Sequence, residues 1–338
     1  MALIPPSRGL AALALAAAAA SAVIATPAQA YTGAASATPD SVRYAWVGSC
    51  PEKDYTVPCG AWTLTMRSGK TVKLADAQVH PRNAKGKADK EAATPFAVSG
   101  DGRFVNYFKD GGLVVRDVNS GKVRPLPGKA AALPKGLGMA EVDTVISPDG
   151  SIVVVDYYDE ADRLPTLVAN LKTGKVVTLP TSDSVLSFSP DGEHLLTSRF
   201  TDDNTTEFAV FDAAGEQTAS QVVPQIVSNN SPVALADDGN TVAVVVTGGS
   251  NRPRLRTYDL AADTVSEAVA LGIPKGESSQ RLFWDAAGTL TLWTSREGSD
   301  EKPGSAVKRT VNAETGATRK LDSFRIKSTT WTWWLPGE

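Results

Sequence analysis

Ser184-Val185-Leu186-Ser187-Phe188-Ser189-Pro190-Asp191-Gly192-Glu193-His194-Leu195-Leu196-Thr197-Ser198 reads as two short apolar strands joined by a tight turn. Pro190 presets φ near about −65° at the second turn position, and Asp191 is tolerated at the third. Gly192 takes the positive φ from which the second strand starts. The same unit recurs along the chain, and its recurrence decides the fold.

Asp-Gly turns stand at Asp101-Gly102, Asp149-Gly150, Asp191-Gly192 and Asp238-Gly239, with a worn copy at Ala287-Gly288. Successive turn glycines are 48, 42, 47 and 49 residues apart. A period of this size marks a repeat whose units bury their faces only by stacking on neighbours. An apolar strand follows each turn, as at Phe104 to Phe108 and Ile152 to Tyr157, and then a second hairpin. The second set of turns is Ser68-Gly69, Ser120-Gly121, Thr173-Gly174, Ala214-Gly215, Ala262-Asp263 and Thr315-Gly316. Each repeat therefore holds four strands, a to d, which is the pattern of a β-propeller blade.

There are six second hairpins and only five a–b turns, and the two ends of the chain account for the difference. Thr38-Pro39-Asp40-Ser41 resembles a worn turn before a strand at Val42 to Val47, yet nothing ahead of it reads as strand a. Ser328-Thr329-Thr330-Trp331-Thr332-Trp333-Trp334 is strand-like and has no partner of its own. Placed as strand a of the first blade it completes an all-β ring of six four-stranded blades, closed by the C-terminal strand, with seven blades as the alternative count. The rival use of this Trp cluster is a stacking platform for carbohydrate.

The Ser-Pro-Asp-Gly turns at 147 to 150 and 189 to 192 resemble those of the TolB-like branch of WD-repeat-related propellers, over residues 38 to 337. The resemblance implies the fold. It leaves activity open, because similar propellers serve as binding platforms, in periplasmic translocation and beside peptidase domains.

Residues 1 to 30 read as a secretory signal, with Arg8 as the only charge, an apolar stretch from Gly9 to Ile24 and Ala28-Gln29-Ala30 before the expected cleavage. Residues 31 to 37 are expected to be disordered and 38 to 338 to form a single propeller domain. A secreted, extracellular protein follows. The formal charge of −3 provides no basic excess for nucleic acid, and no later apolar run is long enough to span a bilayer. Cys50 and Cys59, the only cysteines, are expected to form a disulfide closing the loop Pro51 to Pro58 in an oxidising compartment.

Propeller topology puts the a–b and c–d turns on one face and the b–c and d–a connections on the other. The second set varies in length and charge, which places binding there. The candidate binding residues are Asp159, Glu160, Asp162, Arg163, Asp202, Asp203, Arg252 and Arg254. No cofactor is expected; acidic loops of this kind could hold calcium, but no ligand register is present. The long connection from Asp76 to Thr94 carries Arg82, Lys85, Lys87 and Lys90 against Asp89 and Glu91, and reads as a mobile polar insertion. No Gly-x-Ser-x-Gly motif occurs, and His80 and His194 fall on opposite faces. The expected function is thus a monomeric, non-catalytic binding propeller for an extracellular protein, peptide or glycan. The alternative is a cation-dependent hydrolase, lactonase or lyase with carboxylates near the central channel.

Overall fold

The computed structural model describes residues 39–158, 164–180, 183–247, 252–298 and 304–337. The signal segment and the expected disordered stretch lie outside them. In the first blade the chain runs through β1 (Val42–Glu52), β2 (Tyr55–Met66) and β3 (Thr71–Leu74). Blade 2 is β4 (Phe96–Val98), β5 (Phe104–Lys109), β6 (Gly112–Asp117) and β7 (Val123–Pro125). Blade 3 is β8 (Val142–Ile146), β9 (Ile152–Tyr157), β10 (Leu167–Asn170) and β11 (Val176–Thr178). Blade 4 is β12 (Ser184–Phe188), β13 (His194–Phe200), β14 (Thr206–Asp212) and β15 (Gln217–Val222). Blade 5 is β16 (Val233–Leu235), β17 (Thr241–Thr247) and β18 (Pro253–Asp259), with its outer strand broken into β19 (Thr264–Val265) and β20 (Val269–Ala270). Blade 6 is β21 (Ser278–Trp284), β22 (Leu290–Arg296), β23 (Ser305–Val311) and β24 (Thr318–Arg325).

The last strand, β25 (Thr330–Trp334), returns to the start of the chain. It pairs antiparallel with β1, Ala45 opposite Trp334 and Val47 opposite Thr332, giving the sheet order β25-β1-β2-β3. The protein is a six-bladed β-propeller.

The core is divided accordingly. Six apolar clusters occupy the six junctions between neighbouring blades, so each sheet buries both faces and has no independent core. At the seam a register shift opposite Val47 and Gly48 distributes the tryptophans: Trp331 and Trp334 pack toward blade 2, and Trp333 toward blade 6. Each of the three is half-buried against its junction, so the cluster is packing rather than an open stacking platform. Arg43 on β1 clasps Asp322 on β24 across the junction of blades 1 and 6, its Nε 2.8 Å from Oδ2. Burial alone would raise the Asp322 carboxyl, but the bonded guanidinium holds it below the usual carboxylate range.

The recurring turn is built by its side chains. Ser189 Oγ donates to Asp191 Oδ1 (2.5 Å) and accepts the His194 N–H (2.9 Å), while Asp191 Oδ1 accepts the Glu193 N–H (2.9 Å). Ser99 with Asp101 and Ser147 with Asp149 repeat the arrangement. Serine and aspartate thereby take N–H groups that enter the next strand without a sheet partner.

Two expectations need correction. Cys50 and Cys59 are bonded, but the segment between them is no loop. β1 and β2 continue past the blade as a two-stranded ribbon turning at Glu52–Tyr55, with Cys50 opposite Val57 and Cys59 opposite Gly48. Lys53 supplies the positive φ (49°) that turn needs, a conformation the sequence does not advertise without a glycine. Non-reducing peptide mapping is expected to recover Cys50 joined to Cys59. Replacing both by Ser should lower unfolding free energy by on the order of 2 to 3 kcal/mol; free thiols in the purified protein would overturn this. The second correction concerns Asp76 to Thr94, which is tied down rather than loose. Arg82 pairs with Ala88, the Met139 N–H donates to Arg82 O (2.8 Å), and the Tyr55 hydroxyl at the ribbon tip donates to Glu91 (3.1 Å).

Candidate functional site

The two faces sort as topology requires. Asp149 of an a–b turn pairs with Lys172 of a c–d turn (2.9 Å), and Asp40 accepts from Ser68 across the same face of blade 1. On the opposite face Arg252 of a b–c connection meets Leu271, Lys275 and Glu277 of a d–a connection around a cavity of about 480 Å³.

That second face holds the charged candidates. Asp159, Glu160, Asp162 and Arg163 lie outside the described residues. Asp202 and Asp203 are exposed in the turn between β13 and β14, closed by the Thr201 N–H to Thr205 O bond (2.8 Å) with Asn204 at φ 57°. Arg252 lines the cavity, and Arg254 is exposed on β18 opposite Ala270. Among the described residues none of these four side chains forms an ion pair. The acids sit on blade 4 and the arginines on blade 5, so the structure places them on one face without gathering them into one cluster.

Sequence patterning missed the apolar side of this face. Six large apolar side chains stand exposed among the described residues. Five of them, Tyr55, Tyr158, Phe200, Val222 and Ile226, occur at b–c or d–a ends, and only Leu321 lies elsewhere, on an outer strand. Phe200 is 80% exposed and Tyr158 64%. A signal existed in the sequence: Phe200 ends a strand b and Tyr158 directly follows one, each before a run of acidic residues, where the side chain has no blade left to pack against.

Beneath the surface this face is braced by acids that precede strand a. Asp183, fully buried, accepts from Thr197 Oγ1 (3.0 Å) and faces Arg199, which also bonds Glu207 (2.8 Å). Burial pushes the Asp183 carboxyl up against the pull of Thr197 and Arg199. Glu277 repeats the arrangement with Thr294 (2.6 Å) and Arg309 (2.8 Å). These groups fix the loop bases and are consumed in doing so.

The a–b face carries a cavity that sequence reasoning did not foresee. About 400 Å³ opens at the mouth of the channel, lined by the turns of blades 2, 3, 4 and 6 and by Arg67 and Lys308. It exists because blade 1 has no a–b turn. Its strands a and b come from the two ends of the described chain, which diverge here: Gly337 donates to Val98 O (2.8 Å) and the Arg67 N–H to Ser41 O (2.8 Å). Asp101, Asp149 and Asp285 line the cavity, so carboxylates do stand near the channel, each accepting N–H groups of its own turn. Burial opposes ionisation of Asp149, yet its bonds from Ser151 and Lys172 bring it to about 2, whereas burial raises Asp101. Among the described residues no three His, Cys, Asp or Glu side chains are grouped as metal ligands.

No protein-family model matches the chain, and no curated protein matches it in sequence. Among solved structures it is similar to a protein described as TolB from Agrobacterium tumefaciens, at 13% identity over 74% of this chain and 90% of that one, with a TM-score of 0.45. TolB from Acinetobacter baumannii is similar at 12% identity over 87% of this chain, TM-score 0.46, and the match spans 66% of that protein's length. The β-propeller domain of the Trilobed protease from Pyrococcus furiosus is similar at 10% identity over 82% of this chain and 80% of that one, TM-score 0.44. At such identities nothing about activity follows, and the blade assignment rests on the strand pairing above.

Proposed function

We propose that the protein is an exported, non-catalytic propeller that binds an extracellular protein, peptide or glycan through its b–c and d–a face. The observation that carries this reading is the concentration of exposed apolar side chains there, Phe200 and Tyr158 foremost, on the same face as exposed charges at Asp202, Asp203, Arg252 and Arg254 that form no ion pair among the described residues. Exposed aromatics and exposed charges on one face are the composition of recognition surfaces: the rings supply buried area and the charges supply orientation. Export is supported by the disulfide and by the signal-like residues 1 to 30. No helix among the described residues is long and apolar enough to cross a membrane.

The test compares what is captured from the native secreted fraction by the wild-type protein and by face variants. Phe200→Ser with Asp202→Lys, and Tyr158→Ser with Arg252→Glu, are expected to weaken capture of a common partner at least about tenfold. Their melting temperatures should stay nearly unchanged, because exposed substitutions cost little stability. Lys122→Glu and Lys175→Glu, on the opposite face, should leave capture intact. Loss of capture in the lysine variants with retention in the others would move the binding face to the other side of the ring.

A further inference from the structure

The cavity at the a–b mouth has two poles of opposite charge. One is Lys308 on β23 with Arg67 from the c–d turn of blade 1; the other is Asp101 and Asp149 on the turns of blades 2 and 3, close enough that Asp149 disfavours ionisation of Asp101. Phe283, Trp284, Pro148 and Pro190 supply apolar wall around the poles.

The cationic pole is short of partners. Lys308 is largely buried, and among the described residues its ammonium makes no hydrogen bond or ion pair. It lies over the Phe283 and Trp293 rings, 5.1 and 5.8 Å from their centroids. Burial, with Arg67 beside it, pushes its titration down to about 8, while Asp285 and Asp322 pull only weakly the other way, Asp322 being already held by Arg43. Arg67 is exposed and has no ion pair among the described residues. A desolvated ammonium facing open volume without a counter-ion is costly to maintain, and an incoming carboxylate would relieve it.

The acidic pole restricts which anion fits. Asp101 uses Oδ1 for Ser99 and for the Arg103 N–H, which leaves its Oδ2 without a hydrogen bond among the described residues, whereas Asp149 is engaged by Ser147 and Ser151 through Oδ1 and by Lys172 through Oδ2. Carboxylates lining the same cavity repel a phosphate dianion, whereas a positive group on the ligand would be drawn to them. The volume falls within the range of about 300–1,000 Å³ of small-molecule sites.

We propose that this cavity is a second binding site, separate from the b–c and d–a face, for an amino-acid-type zwitterion with an apolar side chain: its carboxylate on Lys308 and Arg67, its ammonium toward Asp101, its side chain against Phe283 and Trp284. A free amino acid and a short peptide with free ends share this chemistry.

Calorimetric titration at pH 7 with L-phenylalanine and with L-leucyl-L-phenylalanine tests it and separates the two sources. At least one is expected to bind. Blocking its amino group by acetylation, or its carboxylate as the amide, should each weaken binding at least tenfold, and inorganic phosphate should not compete. Lys308→Met is expected to remove the preference for the acid over the amide, and Arg67→Gln, an exposed change that leaves the fold intact, to weaken the acid at least threefold. Failure of both zwitterions to bind, equal binding of the blocked forms, competition by phosphate, or unaltered binding in Arg67→Gln would each overturn the proposal.

Discussion

Deleting Ser328 to Glu338 is expected to abolish cooperative unfolding altogether. The deletion removes β25, leaving the N–H and C=O groups of β1 that now pair with it unsatisfied along Ala45 to Gly48. It also strips Trp331, Trp333 and Trp334 from the clusters on both sides of blade 1, together with Leu335, which is fully buried. Two of six junctions lose packing at once, and β1 is left as the unpaired inner edge of its blade. Near-ultraviolet circular dichroism should show no sigmoidal melt for the truncated chain. Leu335→Ala, which leaves a cavity but keeps the strand, should melt cooperatively with a loss of about 2–5 kcal/mol. A truncated protein that melts like the full chain would remove the basis for a ring closed by its last strand.

Replacing Gly150 by Ala should be strongly destabilising for so small a change. Gly150 has φ +68°, and a Cβ there would penetrate the Phe104 ring on the neighbouring blade and approach the Phe104 Cβ to 2.7 Å. Left-handed strain of about 1–2 kcal/mol adds to overpacking of about 1–3 kcal/mol, since Phe104 packs against the cluster between blades 2 and 3 and has little room to yield. Gly174 has φ +73° with nothing near its added Cβ, so Gly174→Ala isolates the backbone part, about 1–2 kcal/mol. Denaturant midpoints at unchanged slope measure the two. Equal losses would mean that the turn of blade 3 does not rest on blade 2 as described.

The contrast between these glycines shows what was legible in the chain and what was not. Turn identity is local: Ser-Pro-Asp-Gly carries its own hydrogen-bond scheme and positive φ, so it is readable without the fold, and the six second hairpins set the number of blades. The closure by Trp331 to Trp334 was also legible, because an unpaired strand at one end and a missing strand at the other admit few solutions. Features set by contacts between distant residues were not. Nothing in Ser266-Glu267-Ala268 announces that the outer strand of blade 5 breaks there; the break occurs because the Ser266 hydroxyl accepts the Thr257 N–H (2.8 Å), which a continuous ladder would give to a carbonyl. Likewise the ordering of Asp76 to Thr94 depends on Met139, on the next d–a connection. The channel-mouth cavity had a sequence signature only in hindsight, as the one blade without an a–b turn. Of the charged candidates, Asp202, Asp203, Arg252 and Arg254 could be placed on a face from topology, but the aromatics beside them could not, since a strand-ending Phe or Tyr reads the same whether or not it is covered.

The pairing of Ala45 with Trp334 sets an order of events. Blades 2 to 6 are runs of neighbouring hairpins that can stack on one another as each following blade is completed, with contacts short in sequence. Blade 1 cannot; its first three strands must wait for the far end of the chain, and loop closure across nearly all the described residues is the entropic barrier that remains. The seam is therefore the last part to lock and the first to loosen. Amide exchange at Thr332 to Trp334 should outpace that of Leu292 and Trp293 in β22, and a chain caught with its latch undone is the species most prone to lend that strand to a neighbouring molecule.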